Sequence, residues 1–309
     1  MFDIFNAVLP IFILILLGCW LKNYWLHAED FWRGLEKLAY FILFPAALFN
    51  SISVANLSFI EQAKLILAII SSSAIITIGL MLYWQSKKLD RIQFTSVFQG
   101  SVRFNNYTFF GVGGALYGYE GLQLISIISA YMIIVTNVTS VIIFNIYALE
   151  SQPRSQQTSN FFNVMHKLFI NPLILASLAG FIFNHFNLGV PKLFSNFLQN
   201  LASGALTIGA LTVGANLKFT WFKDYKLVVL AAFCKLLLLP IVTTIMLKIF
   251  DITGSARSMA ILYSALPCAS TSYMLSKQLG GDADSMARII TATTVLSLLF
   301  LPLVVYILN

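Results

Sequence analysis

Residues Val97–Gly121 read VFQGSVRFNNYTFFGVGGALYGYEG. Gln99, Arg103, Asn105, Asn106, Tyr107 and Thr108 fall within ten residues of one another, inside an otherwise apolar run, and Gly111, Gly113 and Gly114 follow. A continuous helix facing lipid has no use for that set. Asparagine tolerates non-helical backbone, and glycine adds permissive dihedrals. An unwound centre frees amides and carbonyls, which a membrane accepts only where they line protein or a water-filled cavity. The spacing predicts a helix broken around Asn105.

A second stretch answers the first at an offset of 162 residues. In Ile261–Gly281, ILYSALPCASTSYMLSKQLGG, Pro267 falls on Asn105 and Gly280 on Gly118. Proline removes an amide and breaks the helix; Ser270, Thr271, Ser272 and Tyr273 follow it. The same offset carries Pro10 and Gly18 of LPIFILILLG onto Pro172 and Gly180 of NPLILASLAG, and LEKLA (Leu35–Ala39) recurs as LQNLA (Leu198–Ala202) at an offset of 163. Two membrane-embedded halves with matched interruptions are the usual build of a secondary transporter. The half-helix N-termini at such breaks point positive ends at an anion. For either stretch alone, the competing reading is a kinked packing helix whose serines and threonines satisfy its own backbone.

Composition puts the whole chain in the bilayer. Of its 309 residues 59% are hydrophobic and 10% charged, with a mean hydropathy of +0.84; soluble domains average about 25% charged residues. Ten nearly charge-free segments follow one another, at 4–21, 38–57, 64–84, 92–117, 121–148, 164–186, 192–216, 227–249, 256–277 and 285–308. Each is near the length a spanning helix needs, and continuous rather than alternating apolarity excludes a barrel. The first segment lacks a basic leader and contains Pro10, so it reads as a span rather than a signal peptide. The expected organisation is all-α: a first five-helix repeat over 1–149, a polar cytoplasmic linker over 150–163 and a second five-helix repeat over 164–309. Pro10, Pro45, Pro172 and Pro240 are expected to kink helices.

The net charge of +7 suggests nucleic acid until the charges are placed. With ten spans, one face takes eleven basic residues, Lys22, Arg33 and Lys87 among them, and the other takes Lys64, Lys192, Lys248 and Arg257. That asymmetry makes the rich face cytoplasmic and puts both termini outside, in the periplasm of a bacterial inner membrane. Five helices per half is an odd number, so the second half enters inverted. The expected surroundings are lipid, with no nucleic-acid partner. Lys37 and Arg288 sit near helix ends and can snorkel. Arg103 and Lys235 lie mid-span, where a basic side chain costs about 2.5–3.5 kcal/mol on insertion scales and usually faces a polar cavity. All twelve acidic residues map to loops or helix ends, which weakens an ion-pair explanation.

The residues also resemble a known family. RFNNYTFFGVGGALYG is similar to the fourth-helix motif of the auxin efflux carrier family, KLLLLP (Lys235–Pro240) to its eighth helix, and the region from Leu262 to Val304 to its C-terminal signature. The resemblance covers the whole chain. It implies ten helices in two inverted repeats with broken crossover helices 4 and 9. It further implies a scaffold of helices 1, 2, 6 and 7, with a homodimer contact through it, and a moving transport domain of helices 3–5 and 8–10. Bacterial members are described as malonate or malate permeases and plant members as auxin exporters. Many relatives carry a proline shortly after the first glycine of helix 4; GVGG here has none, so the first break rests on Asn105, Asn106 and the glycines.

The resulting expectation is a secondary transporter of a small organic anion, with alternating access of elevator type. The substrate-binding candidates are Arg103, Asn105, Asn106, Tyr107, Lys235, Pro267, Ser270 and Thr271. Thr108, Gly111, Tyr131, Asn137 and Cys268 are supporting candidates. No cofactor and no metal are expected: Cys19, Cys234 and Cys268 are scattered through apolar segments, and no P-loop motif is present. His27, His166 and His185 lie near loops at separate helix ends, which argues against a membrane enzyme. Coupling stays open between the anion's own electrochemical gradient, a proton carried on the substrate, and a sodium ion held near Asn105, Thr108, Ser270 and Thr271. A sodium symporter of the bile-acid transporter type should show acidic and glutamine ligands near its crossover. A non-transporting sensor should add a signalling domain.

Overall fold

A computed structural model describes residues 2–55, 59–87, 90–148, 166, 170–217 and 225–308. The expected linker 150–163, and the start of the segment expected at 164–186, lie outside the described residues, as do Lys88, Arg154, Lys167, Lys218 and Lys223. The regular structure of the described residues is helical, with no strand among them.

In chain order the helices are α1 (Phe2–Tyr24), α2 (Glu29–Ile52), α3 (Phe59–Lys87), α4 (Arg91–Val102) and α5 (Asn106–Tyr147), then α6 (Pro172–His185), α7 (Lys192–Ala215), α8 (Tyr225–Ile249), α9 (Gly254–Ala265), α10 (Thr271–Gln278) and α11 (Ala283–Leu308). Among the described residues, six helical stretches are long and apolar enough to cross a membrane; Val8–Tyr24 and Pro172–His185 are shorter apolar helices. The chain is an integral membrane protein.

Local chemistry explains the ends and irregularities. The Asp90 side chain accepts from the Gln93 amide to start α4, and Asn171 accepts from Leu173 to start α6, each satisfying an amide the helix leaves over. Pro172 occupies the first turn of α6, where its missing N–H costs nothing, so it caps rather than kinks. Pro45 and Pro240 each follow a π turn, Ala39–Leu43 in α2 and Cys234–Leu238 in α8. The wider turn accommodates a ring that would otherwise meet the preceding carbonyl. Gly118 interrupts α5 with φ 56 and ψ −138, and Gly280, its counterpart 162 residues on, also has positive φ, at 75. Both conformations belong to glycine.

The helices form two compact units. The first comprises residues 1–63, Asn106–Ile133 and 169–217. In it α1 runs along α7, and the second part of α2 packs on α6 and α7. These contacts are made through glycine. A Cβ at Gly18 would overlap the Leu211 carbonyl, and one at Gly214 would overlap the Ile15 carbonyl. At Gly180 a Cβ would press on Ile52 and on the Phe49 carbonyl. Small residues let backbones approach where lipid removes the hydrophobic drive to associate. The α2 C-terminal carbonyls are taken by side chains: Asn184 donates to those of Ser53 and Ala55, and Gln123 to that of Val54.

The second unit comprises 64–105, Ile134–Leu168 and Lys218–Asn309. Here α11 packs against α4, α8, α9 and α10. Trp84, Phe94, Phe98 and Tyr147 form an aromatic core at one end, with the Phe94 and Tyr147 rings 4.3 Å apart. The Trp84 indole donates to the Asp90 carbonyl at 2.8 Å. At the start of α11, Asp282 accepts from the Ser285 amide and hydroxyl.

Candidate functional site

The second unit holds two interruptions side by side. Helix α4 ends at Val102 and α5 begins at Asn106; between them Arg103 is extended, with φ −74 and ψ 151. Helix α9 ends at Ala265 and α10 begins at Thr271, and Leu266 adopts φ −63 and ψ 150. The Asn105 amide donates to the Pro267 carbonyl at 3.0 Å, so the two breaks share a backbone hydrogen bond. That bond shows how the first break forms without a proline. The Arg103 amide still closes on Gln99, and the Asn105 amide, left without a helical partner, finds the carbonyl of the other break. On the second break, the Cys268 amide is met by the Thr293 hydroxyl of α11 at 3.2 Å. Buried amides demand such partners.

Arg103 is buried, 6% exposed, at the junction. Its guanidinium donates to Asn137 Oδ1 at 2.9 Å, to Ser140 Oγ at 3.4 Å and to Thr271 Oγ1 at 3.2 Å. The fork thus joins α5 to the first residue of α10. These three acceptors are neutral oxygens, which orient the guanidinium.

Lys235 sits on the π turn of α8 and is fully buried. Its Nζ has no hydrogen-bond partner among the described residues. It lies 5.6 Å from the centre of the Tyr263 ring, which in turn meets Phe104 edge-on at 4.6 Å. A cation–π contact replaces only part of the hydration an ammonium loses, and burying one without an acceptor costs several kcal/mol. Local widenings of this kind are frequent at functional positions.

Of the candidates, Arg103, Asn105, Asn137, Lys235, Pro267, Cys268, Ser270 and Thr271 fall in the second unit, and Asn106, Tyr107, Thr108, Gly111 and Tyr131 in the first. Several have packing partners there. The Tyr107 ring rests on Phe44 at 4.7 Å, and a Cβ at Gly209 would come within 2.6 Å of it. Gly111 faces Ile11 closely, and the Tyr131 ring meets that of Phe181 at a tilt, 5.6 Å between centres. Cys268 is fully buried, its thiol turned to the Gln99 carbonyl at 3.5 Å.

Residues outside the candidate set complete the site. Gln99 is fully buried and donates to Ser276 at 2.8 Å, tying α4 to α10, while its Oε1 has no partner among the described residues. Tyr263 and Thr293 hold Lys235 and the second break. Gln99 is a polar residue in an apolar run and could have been singled out. Tyr263 and Thr293 carry no such mark. Glu36 lies in the opening turns of α2, where Asn216 of α7 donates to its carboxylate. Among the described residues, no cluster of histidine, cysteine and carboxylate side chains could hold a metal ion.

A family model described as membrane transport protein matches residues 3–305. A relative from Methanothermobacter thermautotrophicus, described as an uncharacterized transporter, is 23% identical over 302 residues, which cover 96% of each chain.

Proposed function

The chain belongs to this family of membrane transport proteins, the auxin efflux carrier family, and from that premise we propose that it carries a small organic anion, a carboxylate such as malonate, malate or an auxin-like acid. The observation that carries this reading is the placement of two buried basic side chains in the unit that holds both helix breaks. One of them, Lys235, has no hydrogen-bond partner among the described residues. A buried basic group without an acceptor carries charge at little cost only when an anion meets it. In this reading the carboxylate docks at Arg103, Asn105 and Pro267–Thr271. Asn137 keeps the guanidinium in place, Arg103 supplies positive potential, and Lys235 supplies a second basic group. Asn106 adjoins the site through the chain. Tyr107, Gly111 and Tyr131, which pack on Phe44, Ile11 and Phe181, have lesser, supporting parts in this reading, as does Thr108.

The transport mechanism proposed is alternating access of elevator type, with ten spans in two inverted repeats. Two pairs of repeat-related glycines support the inversion. Gly118 and Gly280 share positive φ. Gly18 brings α1 onto α7, while Gly180 brings α6 onto α2; exchanging the halves exchanges these contacts. The excess of basic residues on one face supports insertion in a bacterial cytoplasmic membrane with both termini outside. The homodimer, through α1, α2, α6 and α7, belongs to the same reading. So does a carrier role rather than an enzymatic one.

Calorimetric titration of the purified protein with malonate, malate and indole acetate tests the anion site. Saturable binding of one of them, weakened roughly 30- to 100-fold by Arg103→Ala as the loss of a charge-assisted hydrogen bond implies, supports it. Equal affinity in the variant removes Arg103 from the site. Folded protein that binds none of the three overturns the reading.

A further inference from the structure

We infer that Lys235 couples the anion to a proton: its side chain takes up one proton as the anion arrives at the helix breaks and gives it back when the anion leaves. The inference rests on the anion reading above and names its coupling ion.

Geometry sets up the exchange. Lys235 Nζ is fully buried and lacks an acceptor among the described residues. Its turn packs against α4, α9 and α11. From those elements and the second break it is faced by Tyr263 and Cys268, and Cys234 adjoins it on its own helix; Arg103, at the end of α4, stands on Cys268 as well. None of these is a carboxylate. The carboxylates of α11 and the turn before it, Asp284 and Asp282, stand at that helix's N-terminal end, where Ser285 engages Asp282. Farther charges on the packed helices, Arg91, Lys226, Lys248, Arg257 and Arg288, also stand towards helix ends.

A guanidinium keeps its proton under all conditions a protein meets, whereas an amine can surrender one. Before the anion binds, an ammonium at Lys235 would have no acceptor and would share its unit with the fixed charge of Arg103. The anion changes both conditions at once. It offsets the Arg103 charge and brings oxygen acceptors, so the amine, the proton and the anion combine as an ammonium–carboxylate pair. By linkage, whatever strengthens proton binding at Lys235 strengthens anion binding by the same factor. A monocarboxylate loaded in this way adds no net charge to the unit, and a dicarboxylate adds one negative charge.

The test is calorimetric titration of malonate into the full chain at about pH 8, where carboxylic acids are ionised and carry no proton of their own. It is run in phosphate and in Tris, whose ionisation heats differ. Wild type should take up about one proton per malonate bound. Lys235→Met should take up none, and Lys235→Arg, charged throughout, should bind malonate without uptake. Malonate binding to wild type with no proton uptake overturns the coupling role and leaves the anion site standing. Uptake that persists in Lys235→Arg overturns it as well, by placing the proton elsewhere. If wild type binds neither malonate, malate nor indole acetate, the anion reading falls and this inference falls with it. Should Lys235→Met not fold, wild type and Lys235→Arg decide the matter between them.

Discussion

The two compact units differ in where their helices come closest, although side-chain hydrogen bonds occur in both. In the first, helices meet backbone to backbone at Gly18, Gly180 and Gly214. In the second, they meet through side-chain hydrogen bonds at interrupted helices: Gln99 to Ser276, Arg103 to Asn137 and Thr271, Thr293 to Cys268. Glycine contacts leave no room to rearrange, because close-packed backbones accept few alternatives. Hydrogen-bonded breaks keep polar groups inside the unit, where a ligand can compete for them. One unit is built to stay as it is and the other to respond.

The largest effect expected from this contrast is at Gly214. Gly214→Leu drives a side chain into the Ile15 carbonyl and should destabilise by about 3 kcal/mol or more, at the upper end for overpacking. Size-exclusion profiles and thermal unfolding in detergent would register it. A well-folded variant with unchanged melting would erase the distinction between the units. Next comes Thr293→Val, which keeps the shape but leaves the Cys268 amide of the second break unmet. The expected cost is about 1–3 kcal/mol, accompanied by weaker anion binding, and an unchanged melting temperature would show that the amide has another partner.

Lys235→Met sharpens the contrast by its sign. Replacing the buried amine with an apolar chain of similar length should stabilise the empty protein by about 1 kcal/mol, while anion binding declines. Thermal unfolding without ligand reads the first effect and calorimetry the second; a destabilised empty protein would make Lys235 a structural residue. The smallest effect belongs to Gly34, in the first turns of α2, where a Cβ meets nothing within 4 Å. Gly34→Ala should stabilise by about 0.5–1 kcal/mol through helix propensity alone. A loss there would reveal a contact that glycine protects.

Much of this was legible in the sequence, because its signals are local. Pro267, and Arg103 with Asn105–Asn106, mark the breaks by composition, and Gly118 falls between the segments expected at 92–117 and 121–148. Arg103 and Lys235 stand out because charge at mid-span is costly. The π turns were not legible. Their hydrogen bonding leaves no pattern in composition, and the prolines two residues beyond them suggest a kink just as readily. The packing partners of Tyr107 and Tyr131 were hidden for a different reason. A tyrosine that packs on Phe44 or Phe181 reads the same in sequence as one that lines a cavity. Pro172 differs from Pro10 only in having Asn171 before it as a cap, a distinction made by position in the helix and not by the repeat.

The central claim is that an organic anion crosses the membrane by way of the unit that holds the breaks. Counterflow in proteoliposomes tests it most directly, with labelled malonate, malate and indole acetate, with and without a sodium gradient, an imposed potential and a pH gradient. The account predicts saturable, sodium-independent exchange of one of these anions, accelerated by a pH gradient and lost in Arg103→Ala. Exchange that requires sodium, or well-folded protein that exchanges none of the three, would contradict it.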